Sequence, residues 1–437
     1  MSPDKEADFL EKNKGMEIRR FPNGTICVAA TELRDDLRIA RININHRAGS
    51  IFDPVHKTGI HHLLEHLIAN VPSFFSRQNK ANFEAFTSKS TMLFEIDGPA
   101  NKQVLDFGAW PLLSILHRQV VNPIWLSGNL ESDLKREKGV VDSEEIEYKS
   151  DHYIQFMNFV SDTIYHPNNP IGRFNIGAKE DRDSITSADI KELIPQAFSP
   201  EGTIISVLNR GELDTTKIIV DQLEDTYGKV EETPGHQILD SASFSKLNPG
   251  FKQEETYYKD TGLNNGIISL AYIWVFPYER GTTSAFALGR LKARIDEIFF
   301  AMTRIRGQNY TSNIRSIAPT GDTWVGQLDL TFPKMKEIED VAREYKKIIE
   351  NEVIARIDLQ EIHKILEQER KINQAMLIPT ESKLEYMTTG IKDEGMIIDP
   401  ESVKRAYSQI STKDIEEWRD KLLETEPAII MVGDLSG

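Results

Sequence analysis

Apolar and polar residues trade places along the first hundred positions in the manner of β-strands. Met16–Phe21 and Thr25–Thr31 flank Asn23-Gly24, a pair that marks a hairpin. Leu37–His46 alternates through Ile39, Arg41, Ile42, Asn43 and Ile44, as a strand with one face in a core should. A helical period takes over near 57–70, 101–118 and 123–149, and a further strand is expected near Thr91–Ile96. Asp189–Phe198 reads as a helix, and Thr203–Leu208 as the strand after it.

One pattern occurs twice. Ile185-Thr-Ser-Ala-Asp-Ile190 is followed by an apolar strand and Gly211-Glu-Leu213. Ile410-Ser-Thr-Lys-Asp-Ile415 is followed by Ala428–Val432 and Gly433-Asp-Leu435, in the same order and at nearly the same offset. Duplicated domains explain that better than accident. Glu231–Glu255 holds Pro234, Gly235, Pro249 and Gly250 without a sustained period and reads as a linker. The expected layout is a domain over 1–230, a linker over 231–255 and a second, homologous domain over 256–437. Strands and helices mix without regular βαβ alternation, so the expected class is α+β, with mostly antiparallel sheets packed with helices.

Composition narrows the function. The chain has 437 residues, 39% of them hydrophobic and 27% charged, which suits a soluble enzyme of two domains. A net charge of -16 argues against a nucleic-acid partner, whose phosphates need a basic footprint. The single cysteine, Cys27, lies in an apolar run and excludes both an internal disulfide and a Cys-rich metal site. No secretory h-region opens the chain and no stretch approaches a membrane span, so the expectation is a cytoplasmic protein with no membrane partner.

The chemistry concentrates in Gly59-Ile-His-His-Leu-Leu-Glu-His-Leu-Ile68, which contains His62-x-x-Glu65-His66, the inverted form of the H-E-x-x-H zinc motif. On a helix, Ile60, Leu63, Leu64, Leu67 and Ile68 fill an arc of about 140°, and residues 62, 65 and 66 fall within about 100° on the other side. Imidazoles at i and i+4 stack one turn apart and can share one ion. His61 stands at the edge of the arc, either a structural histidine or a substitute ligand. A catalytic zinc needs a third ligand and an open position. The acidic run Arg136-Glu-Lys-Gly-Val-Val-Asp-Ser-Glu-Glu-Ile-Glu147 offers Glu137 and Glu144, seven apart and so on one helical face, with Glu145 turned about 100° away.

These motifs resemble the inverted-zincin peptidases of the pitrilysin and insulinase type, which include the mitochondrial processing peptidases. The family has Gly-x-x-His-x-x-Glu-His on a helix and a Glu pair seven apart some seventy to eighty residues later. The resemblance implies one zinc per chain held by His62, His66 and Glu144 (or its neighbour Glu145), with Glu65 as general base and Glu137 as a supporting carboxylate. Glu84-Ala-Phe-Thr-Ser88 is similar to the family's Asn-Ala-x-Thr-Ser strand, so Glu84, Ala85 and Phe86 are expected to pair with the substrate backbone. Arg304-Ile-Arg-Gly-Gln-Asn-Tyr310 resembles the family's Arg…Tyr motif. It assigns Arg304 (or Arg306) and Tyr310 to the substrate carbonyl and the developing oxyanion. Ser284–Leu291, where the motif helix would recur, carries no metal ligand. The implied activity is zinc-dependent hydrolysis of peptides or unfolded segments inside a dimeric chamber. That chamber would be a homodimer, or a heterodimer with an Arg/Tyr-bearing subunit. The alternative is a non-catalytic assembly subunit of the same fold.

Overall fold

The Asn23-Gly24 hairpin forms, with a three-residue loop from Pro22 to Gly24. In the computed structural model, Phe21 N–H donates to Thr25 O at 2.8 Å and Gly24 takes a φ of 94°, which glycine reaches without strain. The Asn23 amide donates to the carbonyls of Tyr227 (2.7 Å) and Val230 (3.0 Å), tying the turn to the end of a distant helix. The structure describes residues 10, 15–33, 39–76, 81–99, 116, 129–166, 169–237, 247–262, 266–277, 282–305, 313–316, 323–333, 338–375, 380–394 and 400–435.

In chain order the elements are β1 (Met16–Arg20), β2 (Ile26–Glu32), β3 (Ile39–His46), α1 (Ile60–Ser76), β4 (Asn82–Thr87), β5 (Met92–Pro99), α2 (Leu130–Ser150), α3 (His152–Ile164), α4 (Lys179–Ser184), α5 (Ser187–Ala197), β6 (Thr203–Arg210) and α6 (Leu213–Tyr227). There follow β7 (Thr256–Asp260), β8 (Ile267–Pro277), α7 (Thr283–Ile305), β9 (Asn313–Ser316), β10 (Thr323–Pro333), α8 (Ile338–Ile348), α9 (Leu359–Ala375), α10 (Thr380–Glu394), α11 (Pro400–Gln409), α12 (Thr412–Glu424) and β11 (Ala428–Gly433). The class is mixed α and β with two sheets, as the sequence predicts.

Two compact units result. The first holds Met1–Glu144, Arg173–Ile238 and Ile378–Pro400, and the second holds Glu145–Gly172, Leu239–Leu377 and Glu401–Gly437. In the first, the strand order is β1-β2-β6-β3-β5-β4. The β2–β6 pair is parallel, and β6–β3, β3–β5 and β5–β4 are antiparallel. In the second, the order is β7-β11-β8-β10-β9, with β7–β11 parallel and the other three pairs antiparallel. The pairing sequence parallel, antiparallel, antiparallel, antiparallel therefore occurs in both. The duplicated sequence pattern does the same local work in each: Thr186 and Ser411 cap α5 and α12 through reciprocal capping boxes with Asp189 and Asp414.

Strand patterning follows burial. β3 and β5 alternate, sending Ala40, Ile42 and Ile44 with Phe94 and Ile96 into the core. Central β2 and β6 are apolar on both faces. One of these faces is covered by α10, whose Leu384 and Met387 join Val28, Ala30, Ile204 and Leu208 in a single cluster. The second unit buries Leu270, Tyr272, Trp274 and Phe276 of β8 against Leu288, Leu291, Ile295 and Phe299 of α7 and Trp418 of α12. Among the described residues no helix is long and apolar enough to cross a membrane.

His46 ends β3 fully buried, edge-on to Phe94 and Phe198. Its Nδ1–H donates to Thr203 Oγ at 3.0 Å, and that hydroxyl donates onward to the Ser199 carbonyl. Nε2 is left buried and without a partner. Burial lowers its pKa to about 3 from the ordinary 6.5. Between these values the unfolded chain binds a proton that the folded chain does not, so stability is full above pH 6.5 and falls as pH drops below it. The loss attributable to His46 at pH 5 is about 2 kcal/mol. Urea denaturation at pH 7 and pH 5 should show a pH loss smaller by that amount in His46→Gln. An unchanged loss would contradict the assignment.

Candidate metal centre

The site begins with a backbone crossing. Gly59, just before α1, has a φ of 86°, and a Cβ there would lie 2.2 Å from the Ile176 carbonyl oxygen. Across the crossing Gly177 has a φ of 72°, and a Cβ on it would lie 2.1 Å from Thr58 O. Neither position can carry a side chain, which is the physical content of the glycine that opens the motif. Gly59→Ala should cost about 3–5 kcal/mol from combined backbone strain and overpacking. A loss below about 1 kcal/mol in urea denaturation would show that the crossing relaxes freely.

Arg182, with no exposed surface, clamps the same crossing. It donates to the carbonyls of Ile176 (3.2 Å) and Gly177 (2.8 Å) and pairs with Asp142 of α2 at 2.8 Å. Asp53 serves the helix start, accepting from Gly59 N–H at 2.6 Å just before the helix and from His61 N–H at 3.4 Å in the first turn, where N–H groups have no partner within the helix.

On α1 the predicted apolar arc is buried: Ile60, Leu63, Leu64, Leu67 and Ile68 are all 5% exposed or less. The polar side is sheltered as well, since α2 lies against it. The buried residues of α2 are Leu130, Leu134, Glu137 and Val141, a stripe that repeats every three to four residues and continues to Glu144. Most of the remaining acidic run is solvated, as a charge run usually is. The two glutamates seven apart are drawn to the histidines.

His62, His66 and Glu144 each offer one donor atom, and the three atoms lie within 4.8 Å of one another. Glu144 Oε1 is 3.4 Å from His66 Nε2, and Oε2 is 3.7 Å from His62 Nε2. Donors about 2.0–2.1 Å from a tetrahedral zinc stand about 3.3–3.4 Å apart, so two imidazoles and a carboxylate in this arrangement are of the kind and spacing that could close on such an ion. Glu137 Oε2 faces the other nitrogen of His66, Nδ1, at 3.4 Å. Its Oε1 accepts from Asn70 (2.6 Å) and Arg136 (2.9 Å), which fixes the carboxylate that orients the ring. Glu145 instead pairs with Lys149 at 2.5 Å. His61 points away from the three donors, toward Asp53 at 2.7 Å.

The charge states suit ligation. Burial, reinforced by His66 and Arg182, lowers His62 to about 3, so its ring is neutral at pH 7. Burial would lower His66 too, but Glu137, Glu65 and Glu144 together carry it above its ordinary value. For Glu137, burial is outweighed by His66, Arg136 and Asn70, and its pKa falls. Glu65 is 6% exposed, and burial raises its pKa against the opposing pull of His66 and Thr87. Its Oε2 is buried with no hydrogen-bond partner. A carboxylate whose pKa is raised by burial accepts a proton more readily than one in water.

Glu84, Ala85 and Phe86 lie on β4, which ends its sheet and pairs only with β5 among the described strands. Glu84 and Phe86 are exposed, Ala85 is half-buried, and α1 packs along the same strand. Arg304 falls in the last turn of α7, and its side chain, Arg306 and Tyr310 lie outside the described residues. Sequence reasoning did not single out Asn70, Asp53 or His236. Asn70 sits four residues after His66, a spacing that could have flagged it. His236 carries no local signal.

No protein-family model and no curated protein matches the chain. Solved structures do. It is similar to the inactive domain of an M16 peptidase from Pseudomonas fluorescens, with a TM-score of 0.74 and 12% identity over 96% of this chain and 97% of that one. It is similar to a protease from Helicobacter pylori, with a TM-score of 0.72 and 15% identity over 95% and 99%. A chain of complex III from Candida albicans matches with a TM-score of 0.67 and 12% identity over 97% of both. These likenesses establish the architecture of the chain, which is that of M16 peptidase-like domains.

Proposed function

We propose that the chain is a zinc-dependent endopeptidase of the inverted-zincin type, with His62, His66 and Glu144 as metal ligands. The observation that carries this reading is the convergence of those three donor atoms beside the buried, partnerless carboxylate oxygen of Glu65. A zinc ion bound there would polarise the scissile carbonyl and bring water within reach of deprotonation near pH 7. Glu65 takes the proton from the attacking water and returns it to the leaving amine. Glu137 holds His66 by its second nitrogen, keeping the ring in the tautomer that presents Nε2. The edge of β4 that pairs with no other described strand takes the substrate as an added strand, with Glu84, Ala85 and Phe86 supplying the backbone partners, so the substrate must be extended. Arg304 and Tyr310 are assigned to the substrate carbonyl and oxyanion through the resemblance alone.

The same reading makes 1–230 and 256–437 two copies of one domain joined by 231–255, with one zinc in the first copy. It makes the working particle a dimer that admits peptides or unfolded segments, formed with itself or with an Arg/Tyr-bearing partner. A cytoplasmic setting accords with a single, buried cysteine.

A second reading, a non-catalytic assembly subunit, draws on the likeness to an inactive domain and to a chain of complex III. The retained ligand set and base weigh against it, since an assembly role needs neither. Metal analysis of the purified protein should give about one zinc per chain. Stripping it with a chelator should stop cleavage of an unfolded peptide, and zinc should restore it. Bound zinc with no cleavage of any peptide in a mixed library would favour the assembly role.

A further inference from the structure

α1 begins in an unfavourable place for a metal ligand. His62 is the third residue of the helix, inside the turn whose N–H groups lack partners within the helix and where helices fray first. The residue before it compensates. His61 has no exposed surface, and its Nδ1 bonds to Asp53 Oδ1 at 2.7 Å. Its Nε2 lies 3.1 Å from His236 Nε2, on a segment 175 residues further along the chain. With Nδ1–H donating to the carboxylate, His61 Nε2 is the acceptor and His236 Nε2–H the donor. The chain Asp53–His61–His236 therefore saturates both nitrogens of a ring that is one residue from His62.

His236 is itself held. Its ring stacks on Phe52, with centroids 4.6 Å apart and planes 8° apart, and its carbonyl accepts from Arg47 at 3.4 Å. The strap that carries it is seated at two further points. Thr233 Oγ donates to the Pro195 carbonyl at 2.7 Å, and Gly235 passes so close to Ser199 that a Cβ would come within 2.0 Å of its hydroxyl oxygen.

We propose that His236 is a positioning residue for the metal centre, holding the first turn of α1 through its hydrogen bond to His61. This rests on reading His62, His66 and Glu144 as the zinc site. The strap acts on the ion through a neighbour of a ligand, so its loss should weaken zinc by about fivefold, less than the 10–100-fold typical of a partner bonded directly to a ligand.

The test is zinc affinity of the full chain, measured by chelator competition and needing no substrate. His236→Phe keeps the stack on Phe52 and removes the donor, and its zinc Kd should rise about fivefold. His236→Gln loses the aromatic stack but keeps an N–H that reaches His61, and its Kd should stay within about twofold of the original. A purely structural strap gives the reverse order, and that order, or equal affinities in all three proteins, overturns the proposal. Both variants should unfold cooperatively, and a fragile His236→Phe leaves the His236→Gln arm to decide. An unmutated chain that binds no zinc removes the metal reading itself and the role of His236 with it.

Discussion

Glu65→Gln should lower peptide hydrolysis by about a hundredfold or more while leaving zinc binding intact. A positioned general base contributes about 10²–10⁴-fold to a proton-transfer step. Among the described residues the neighbouring carboxylates are otherwise occupied, Glu144 being assigned to the metal in the proposed reading and Glu137 engaged by His66, Arg136 and Asn70. The amide has the shape of the carboxylate but cannot accept the proton. Zinc should stay because Glu65 is not among the three converging donors. Stability should hold or rise, since the substitution removes a buried charge that lacks a full set of partners. Activity assays, metal analysis and thermal melts on one preparation check all three. Residual hydrolysis within tenfold of the original would remove Glu65 from the mechanism.

Glu144→Gln should weaken zinc by at least about a hundredfold, more than losing an outer partner costs, because a charged donor leaves the ion itself. Glu145→Gln should change zinc affinity by less than twofold, since its carboxylate is spent on Lys149. Chelator competition on the two variants separates adjacent residues that differ mainly in direction. If Glu145→Gln proves the weaker binder, the last turns of α2 are rotated in solution relative to the arrangement described.

Much of this was legible in the chain. The period of Ile60, Leu63, Leu64, Leu67 and Ile68 fixed which face of α1 meets the core, and the remaining face had to carry the imidazoles. The seven-residue spacing of Glu137 and Glu144 put both on one side of α2. Sequence alone leaves Glu144 and Glu145 as alternatives, because the choice depends on how α2 is rotated against α1. That rotation is set by Leu130, Leu134 and Val141, a stripe the charges around it obscure. Alternation in Leu37–His46 gave β3, but it could not show that β2 and β6 are covered on both faces. Residues that act across long separations left no pattern at all. His236 stands in a stretch with no period, and the partner that gives it meaning lies 175 residues earlier in the chain. Arg304 and Tyr310 have only the resemblance behind them.

The cover that α10 lays over β2 and β6 bears on how this protein is made. Leu208 leaves the ribosome well before Leu384 and Met387, the residues that shield it. At about 5–20 residues per second, that interval lasts on the order of ten seconds or more. Throughout it, a nascent chain displays two apolar strands with no native lid, a surface that invites sticking to neighbouring chains. Slower synthesis lengthens the hazard, so yield should depend on chaperone supply during translation more than on the ruggedness of the finished fold.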